Sequence, residues 1–155
     1  MANVEIHRAD PDDFDDLLPL FRAYRLFYER AAEPAAEHRF LSERLANADS
    51  TIFIARDGTS AVGFVQLFTT FSSVYLGPVL LLEDLFVHPD ARGRGTASAL
   101  LGRSRGHAAQ LRAVGMFLET AHTNRAAQRV YERAGWQLEC AFRKYNCPLT
   151  GVSVP

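Results

Sequence analysis

Residues 80–101 read LLLEDLFVHPDARGRGTASALL, and this stretch decides the fold. A leucine run is broken by two adjacent carboxylates, Glu83 and Asp84. It resumes as Leu85, Phe86 and Val87, stops at Pro89, and passes through Arg92-Gly93-Arg94-Gly95-Thr96-Ala97 into an apolar-periodic segment. Strand, glycine-containing turn and helix, in that order, turn the unpaired N–H groups of a helix start toward an anion. Glycine at 93 and 95 keeps side chains out of the way of a pyrophosphate, and Arg92 and Arg94 add charge-assisted hydrogen bonds. The same letters also describe a plain tight turn with solvated arginines.

Working outward, residues 4–8 alternate and read as a strand. Asp10 caps a helix with Pro11 at its first position, predicted to run to about residue 31. A second helix is predicted at about 36–46. Residues 51–56 and 61–71 read as strands around an Asp57-Gly58 hairpin turn, and 79–87 is the next strand. A helix follows from 95 to about 113, then a short strand at 116–120 and a helix at 124–134 stopped by Gly135. Residues 136–141 and 143–149 are predicted to close the chain as a strand pair. The order β-α-α-β-β-β-α-β-α-β-β makes a mixed α/β sheet, mostly antiparallel, with helices on both faces. The unit from 79 to 120 is a βαβ crossover, so its two strands run parallel.

The composition narrows the function. A chain of 155 residues, 48% hydrophobic and 23% charged, fits one domain with a real core. A net charge of −1 gives no field to recruit nucleic acid or an anionic membrane. No window approaches the roughly 18 apolar residues of a membrane span, and MANVEIHRADPDD has no signal-peptide pattern, so a cytoplasmic protein is expected. Cys140 and Cys147 lack zinc spacing and are expected as free, buried thiols, a disulfide between neighbouring strands being the alternative. The five histidines show no ligand spacing, so no metal is expected. The acidic run from Asp10 to Asp16 is the usual content of a first helical turn.

Two nucleotide readings can be tested on the letters. The phosphate loop GxxxxGK[ST] is absent. A dinucleotide fingerprint, GxGxxG/A, is met in part: Ser98 stands at its third position, and Glu119 lies where a ribose-binding acid falls. Its late position and the single βαβ unit count against it.

The block from Arg92 to Ala97 fits [RQ]xxGx[GA] and resembles the acetyl-CoA-binding motif of the GNAT N-acetyltransferases. Asn124, Ala127, Tyr131 and Gly135-Trp136 are similar to the N-x-x-A-x-x-x-Y-x-x-x-G-[FW] helix of the same superfamily. GFVQLFTTFSSVYLGP with the following LEDLFV resembles its diamine (spermidine/spermine-type) subgroup and bacterial relatives.

The resemblance implies a GNAT fold and direct acetyl transfer from acetyl-CoA to a primary amine of a small molecule: a diamine, polyamine or amino acid. A protein lysine or N-terminus as acceptor, and a non-catalytic acyl-CoA sensor, are the alternatives. It makes Glu83 the general base, acting through water, and Tyr131 the acid that protonates the leaving thiolate. It places pantetheine along Leu85, Phe86 and Val87, and pyrophosphate on Arg92, Gly93, Arg94, Gly95, Thr96, Ala97 and Ser98. Asn124 and Ala127 are cofactor contacts, with a plain N-cap as the other reading of Asn124. Tyr24, Tyr28, Glu29, Asp84 and Glu119 are the amine-site candidates, Asp84 being equally readable as part of a structural ion pair. The subgroup's Tyr-Glu pair is altered here: Tyr24 precedes Arg25, and Tyr28-Glu29 follows one turn later. A homodimer is the family expectation.

The residues support such chemistry on their own. Strict alternation puts Glu83, Leu85 and Val87 on one face and Asp84 and Phe86 on the other. A carboxylate in an apolar strand is costly unless paired or used.

Overall fold

In the computed structural model, which describes residues 4–149, five strands form one sheet in sequential order. They are β1 (Glu5–Arg8), β2 (Thr51–Asp57), β3 (Ser60–Ser72), β4 (Gly77–Val87) and β5 (Gly115–Leu118). The first four pair antiparallel, while β4 and β5 run parallel as the crossover predicts. The helices are α1 (Phe14–Phe27), α2 (Pro34–Asn47), α3 (Thr96–Gln110) and α4 (Arg125–Arg133).

Alternation along the strands feeds two apolar layers. Phe53, Val65, Leu67, Leu80 and Leu82 pack with Leu100, Leu101 and Ala108 of α3 on one side. Ile52, Ile54, Phe64 and Phe86 pack with Leu17, Leu20 and Phe21 of α1 and Leu41 of α2 on the other. Helices on both faces are therefore what the pattern demands. Among the described residues, no helix is long and apolar enough to cross a membrane.

Local chemistry sets most boundaries. The Asp10 side chain accepts from the Asp12 N–H, and with Asp13 it forms a capping box on a short 3-10 turn, Pro11–Asp13, that leads into α1. α1 ends at Phe27 rather than near 31, because Glu29 takes a left-handed φ of 55° that no helix continues through.

The predicted final strand pair does not form. Residues 136–149 carry neither strand nor helix, and Leu138 and Tyr145 are 86% and 85% exposed. The alternation is present, but Phe142 alone separates the two segments, and no residue suited to positive φ is there to close a hairpin. The cysteines follow: Cys140 and Cys147 are free, as expected, but exposed rather than buried.

Candidate active site

The site begins with an irregularity in β4. Gln66 pairs with Asp84 and Leu67 with Leu82, so Glu83 is an extra residue, a β-bulge. Leu80 and Leu82 face the α3 layer, and so do Leu85 and Val87. Without the bulge Leu82 and Leu85 would lie on opposite faces. Asp84 and Phe86 share a face as the alternation predicts, but Glu83 is not in phase with Leu85 and Val87; it leaves the pleat and lines a cleft.

The cleft opens where the parallel pairing stops. β4 and β5 part after Leu82 and Leu118, so residues 83–87 keep β3 on one side and face open space on the other. That space is about 490 Å³, bounded by β4, the start of α3, α4 and the end of α1. Arg92 Nε donates to the Val87 carbonyl at 2.9 Å, tying the turn to the end of the strand.

At the start of α3 the backbone is shaped for an anion. Gly93 and Gly95 have φ of 74° and 89°, conformations costly for any other residue. A Cβ built on either meets nothing within 4 Å, so the space above both is open. Thr96, the first residue of α3, has a buried hydroxyl oxygen without a hydrogen-bond partner. Open glycines, unpaired N–H groups and an orphaned hydroxyl fit phosphoryl oxygens.

The opposite end is aromatic and acidic. The Tyr24 hydroxyl sits between the Glu83 carbonyl oxygen, at 3.4 Å, and the Asp84 carboxylate, to which it also hydrogen-bonds. Burial, then the Asp84 charge, raises the Tyr24 hydroxyl far above the ordinary tyrosine range and keeps it protonated. Asp84 is only 6% exposed, and burial raises its carboxyl against the hydrogen bonds from Gln66 and Tyr24. The Glu83 carboxyl is raised chiefly by burial, then by the charges of Asp84 and Glu119, with Lys144 opposing. Tyr131 is pushed up to about 12, mainly by burial. Its ring packs 6.2 Å from that of Trp136, which steadies it against the sheet. Glu119 forms an ion pair with Lys144.

Most of the predicted site residues meet here. Glu83, Tyr131, Leu85, Phe86, Val87, Arg92, Gly93, Gly95, Thr96, Ala97, Ser98, Asn124, Ala127, Tyr24, Tyr28 and Glu119 all line the cleft. Asn124 also caps α4, its Oδ1 accepting from the Ala127 N–H at 3.2 Å, so the N-cap reading holds for a residue that also lines the cleft. Three residues stand apart. Asp84 lies under the cleft within the sheet, Arg94 turns toward Asp57 at 3.8 Å, and Glu29 is exposed beyond the end of α1. Arg129 and Arg133 of α4 also line the cleft and escaped the sequence reading. Their spacing of four, one turn of a helix, was the available signal.

Such a cleft suits moving an acyl group from a phosphate-bearing carrier to a nucleophile that must first lose a proton. Fold and site together define an acyltransferase. The chain belongs to the Acetyltransferase (GNAT) family, whose model matches residues 15–136. It is 38% identical over 142 residues to the uncharacterized N-acetyltransferase YhfO of Bacillus subtilis, covering 92% of this chain and 95% of that one. A probable acetyltransferase of Haemophilus influenzae is 35% identical over 103 residues, 66% of this chain and 70% of that protein. A crystal structure of a probable acetyltransferase superposes with a TM-score of 0.89 at 34% identity, covering 94% of this chain and 98% of that one.

Proposed function

We propose that the protein transfers acetyl from acetyl-CoA directly to a primary amine of a small cationic molecule such as a diamine, polyamine or amino acid. The observation that carries this reading is the bulge at Glu83, which aims a carboxylate of raised basicity into the cleft that Tyr131 also lines. Acetyl-CoA fits the open backbone at Gly93 and Gly95 and the orphaned Thr96 hydroxyl, with Arg92, Arg129 and Arg133 as cations nearby. It supplies the acetyl group as a thioester.

The chain's own residues divide the work. Glu83 accepts a proton from the ammonium, directly or through one water. Tyr131, protonated throughout the neutral range, gives its hydroxyl proton to the departing sulfur. Tyr24, Phe27 and Tyr28 wall the amine end with aromatic faces that attract a cation, and Glu119 adds a second carboxylate beside Glu83. The arginine that follows Tyr24 does not oppose a cationic substrate. Arg25 is held by Glu33 at 2.9 Å and by Glu37, so its charge is neutralised where α1 meets α2. This supports a diamine-type acceptor despite the altered Tyr-Glu pair.

The test has two stages. CoA, and not NAD, should raise the melting temperature. A panel of diamines, polyamines and amino acids should then give CoA release stoichiometric with acetylated product. Release only with lysine peptides or protein N-termini would replace the small-molecule reading. Tight CoA binding without release on any amine would mark a sensor.

A further inference from the structure

Lys144 is the only lysine in the chain. Its ammonium is held against the carboxylate of Glu119, 25 residues earlier, on the wall of the cleft. The two side chains are 50% and 54% exposed, and an ion pair so exposed contributes little to stability. The pairing is therefore weak as a structural device. What it does is bring a primary amine to the acidic end of the cleft, close enough for its charge to act on Glu83.

Every other basic side chain of the Lys/Arg kind is an arginine, which keeps its proton and is no nucleophile at neutral pH. Residues 136–149 form no helix or strand, so no regular element fixes Nζ at Glu119.

We propose that Lys144 is a self-modification site: the enzyme acetylates its own Lys144 Nζ in cis, at the cleft where free amines react. The inference rests on the acetyl-transfer reading above. Glu83 takes one proton from the ammonium and passes it to water. The nitrogen lone pair forms the bond to the acetyl carbon as the carbon–sulfur bond breaks. The sulfur takes the Tyr131 hydroxyl proton, and the nitrogen's second proton replaces it on Tyr131. The products are an Nε-acetyl-lysine, the CoA thiol and one released proton. Acetylation removes the Lys144 charge, dissolves the ion pair with Glu119, and withdraws a tethered competitor from the amine site.

The full-length protein is incubated with acetyl-CoA and no amine, then followed by intact mass, peptide mapping and CoA release. One acetyl group per chain is expected, on Lys144, with a rate constant independent of protein concentration. Lys144→Arg, which keeps the cation, should acquire none, and Glu83→Gln should slow modification by about a hundredfold. An unmodified Lys144 in a preparation that acetylates free amines overturns the proposal and leaves the acetyl-transfer reading standing. So does modification that speeds up with protein concentration, or one that Glu83→Gln leaves at the wild-type rate. Absence of turnover on both Lys144 and free amines overturns the two together.

Discussion

Gln66 Nε2 donates to Asp84 Oδ2 at 2.6 Å, and the two residues are register partners across β3 and β4. Ser50 Oγ in turn donates to Gln66 Oε1 at 2.8 Å, and Tyr24 meets Asp84 from α1. A chain of polar groups thus runs through the sheet interior to the wall of the cleft. It satisfies the polar atoms buried beside the bulge, where the ladder between β3 and β4 is interrupted.

Asp84→Asn tests this chain through pH. Burial holds the folded-state Asp84 carboxyl above its unfolded value of about 3.9. A raised group contributes stability that is fully present below the unfolded value and is lost as pH rises through the folded one. The melting temperature of Asp84→Asn minus that of wild type should therefore grow from about pH 4 upward and level off once Asp84 is ionised. A difference independent of pH would show that Asp84 is not raised.

Glu83→Gln keeps the shape and removes the proposed base. We expect kcat/KM on the best amine to fall by about 10²–10⁴ at neutral pH, with the melting temperature little changed. The wild-type profile should show an acid limb above the ordinary glutamate value of about 4.3, because burial and the neighbouring carboxylates disfavour ionisation. A pH–rate series on both proteins checks this, and the limb should vanish in the variant.

Tyr131→Phe preserves the ring packed on Trp136 and removes only the hydroxyl. A fall in kcat of about a hundredfold is expected, with acetyl-CoA binding retained. Since burial pushes the hydroxyl up to about 12, it produces no alkaline limb in the neutral range. Single-turnover kinetics separate this loss from any change in binding.

Gly95→Ala acts on the cradle. Its φ of 89° costs an alanine on the order of 1–3 kcal/mol, and the new methyl enters space that is open in this structure. The KM for acetyl-CoA should rise about tenfold or more, while the KM for the amine stays put. Equal rises in both would argue that the turn does not hold the cofactor.

Much of this was readable in the letters, for local reasons. The β4–turn–α3 unit follows from apolar runs and glycines that need only their neighbours. Asp57-Gly58 closes β2 and β3, and the Asp10 cap starts the first helical segment. The bulge was not legible, since it is fixed by which side chains must face α3 on a sheet made of distant segments. Arg94 and Glu29 missed the cleft because left-handed or turning backbone around them redirects their side chains. The closing strand pair failed for a turn that its sequence does not supply. The Lys144 ion pair joins residues on different segments, and no local pattern announces it.

Remove Glu83 on paper and β4 becomes a regular strand. Leu80, Leu82, Leu85 and Val87 would then alternate without interruption, each still facing the layer it faces now. Excising any neighbour while keeping the bulge would instead turn part of the strand inside out. Glu83 is thus a guest in its own strand, the one position between Leu82 and Asp84 that the architecture does not need. A chain with Glu83 deleted should fold with its layers intact and its cleft inert. Chemistry and scaffold are separable here by a single codon.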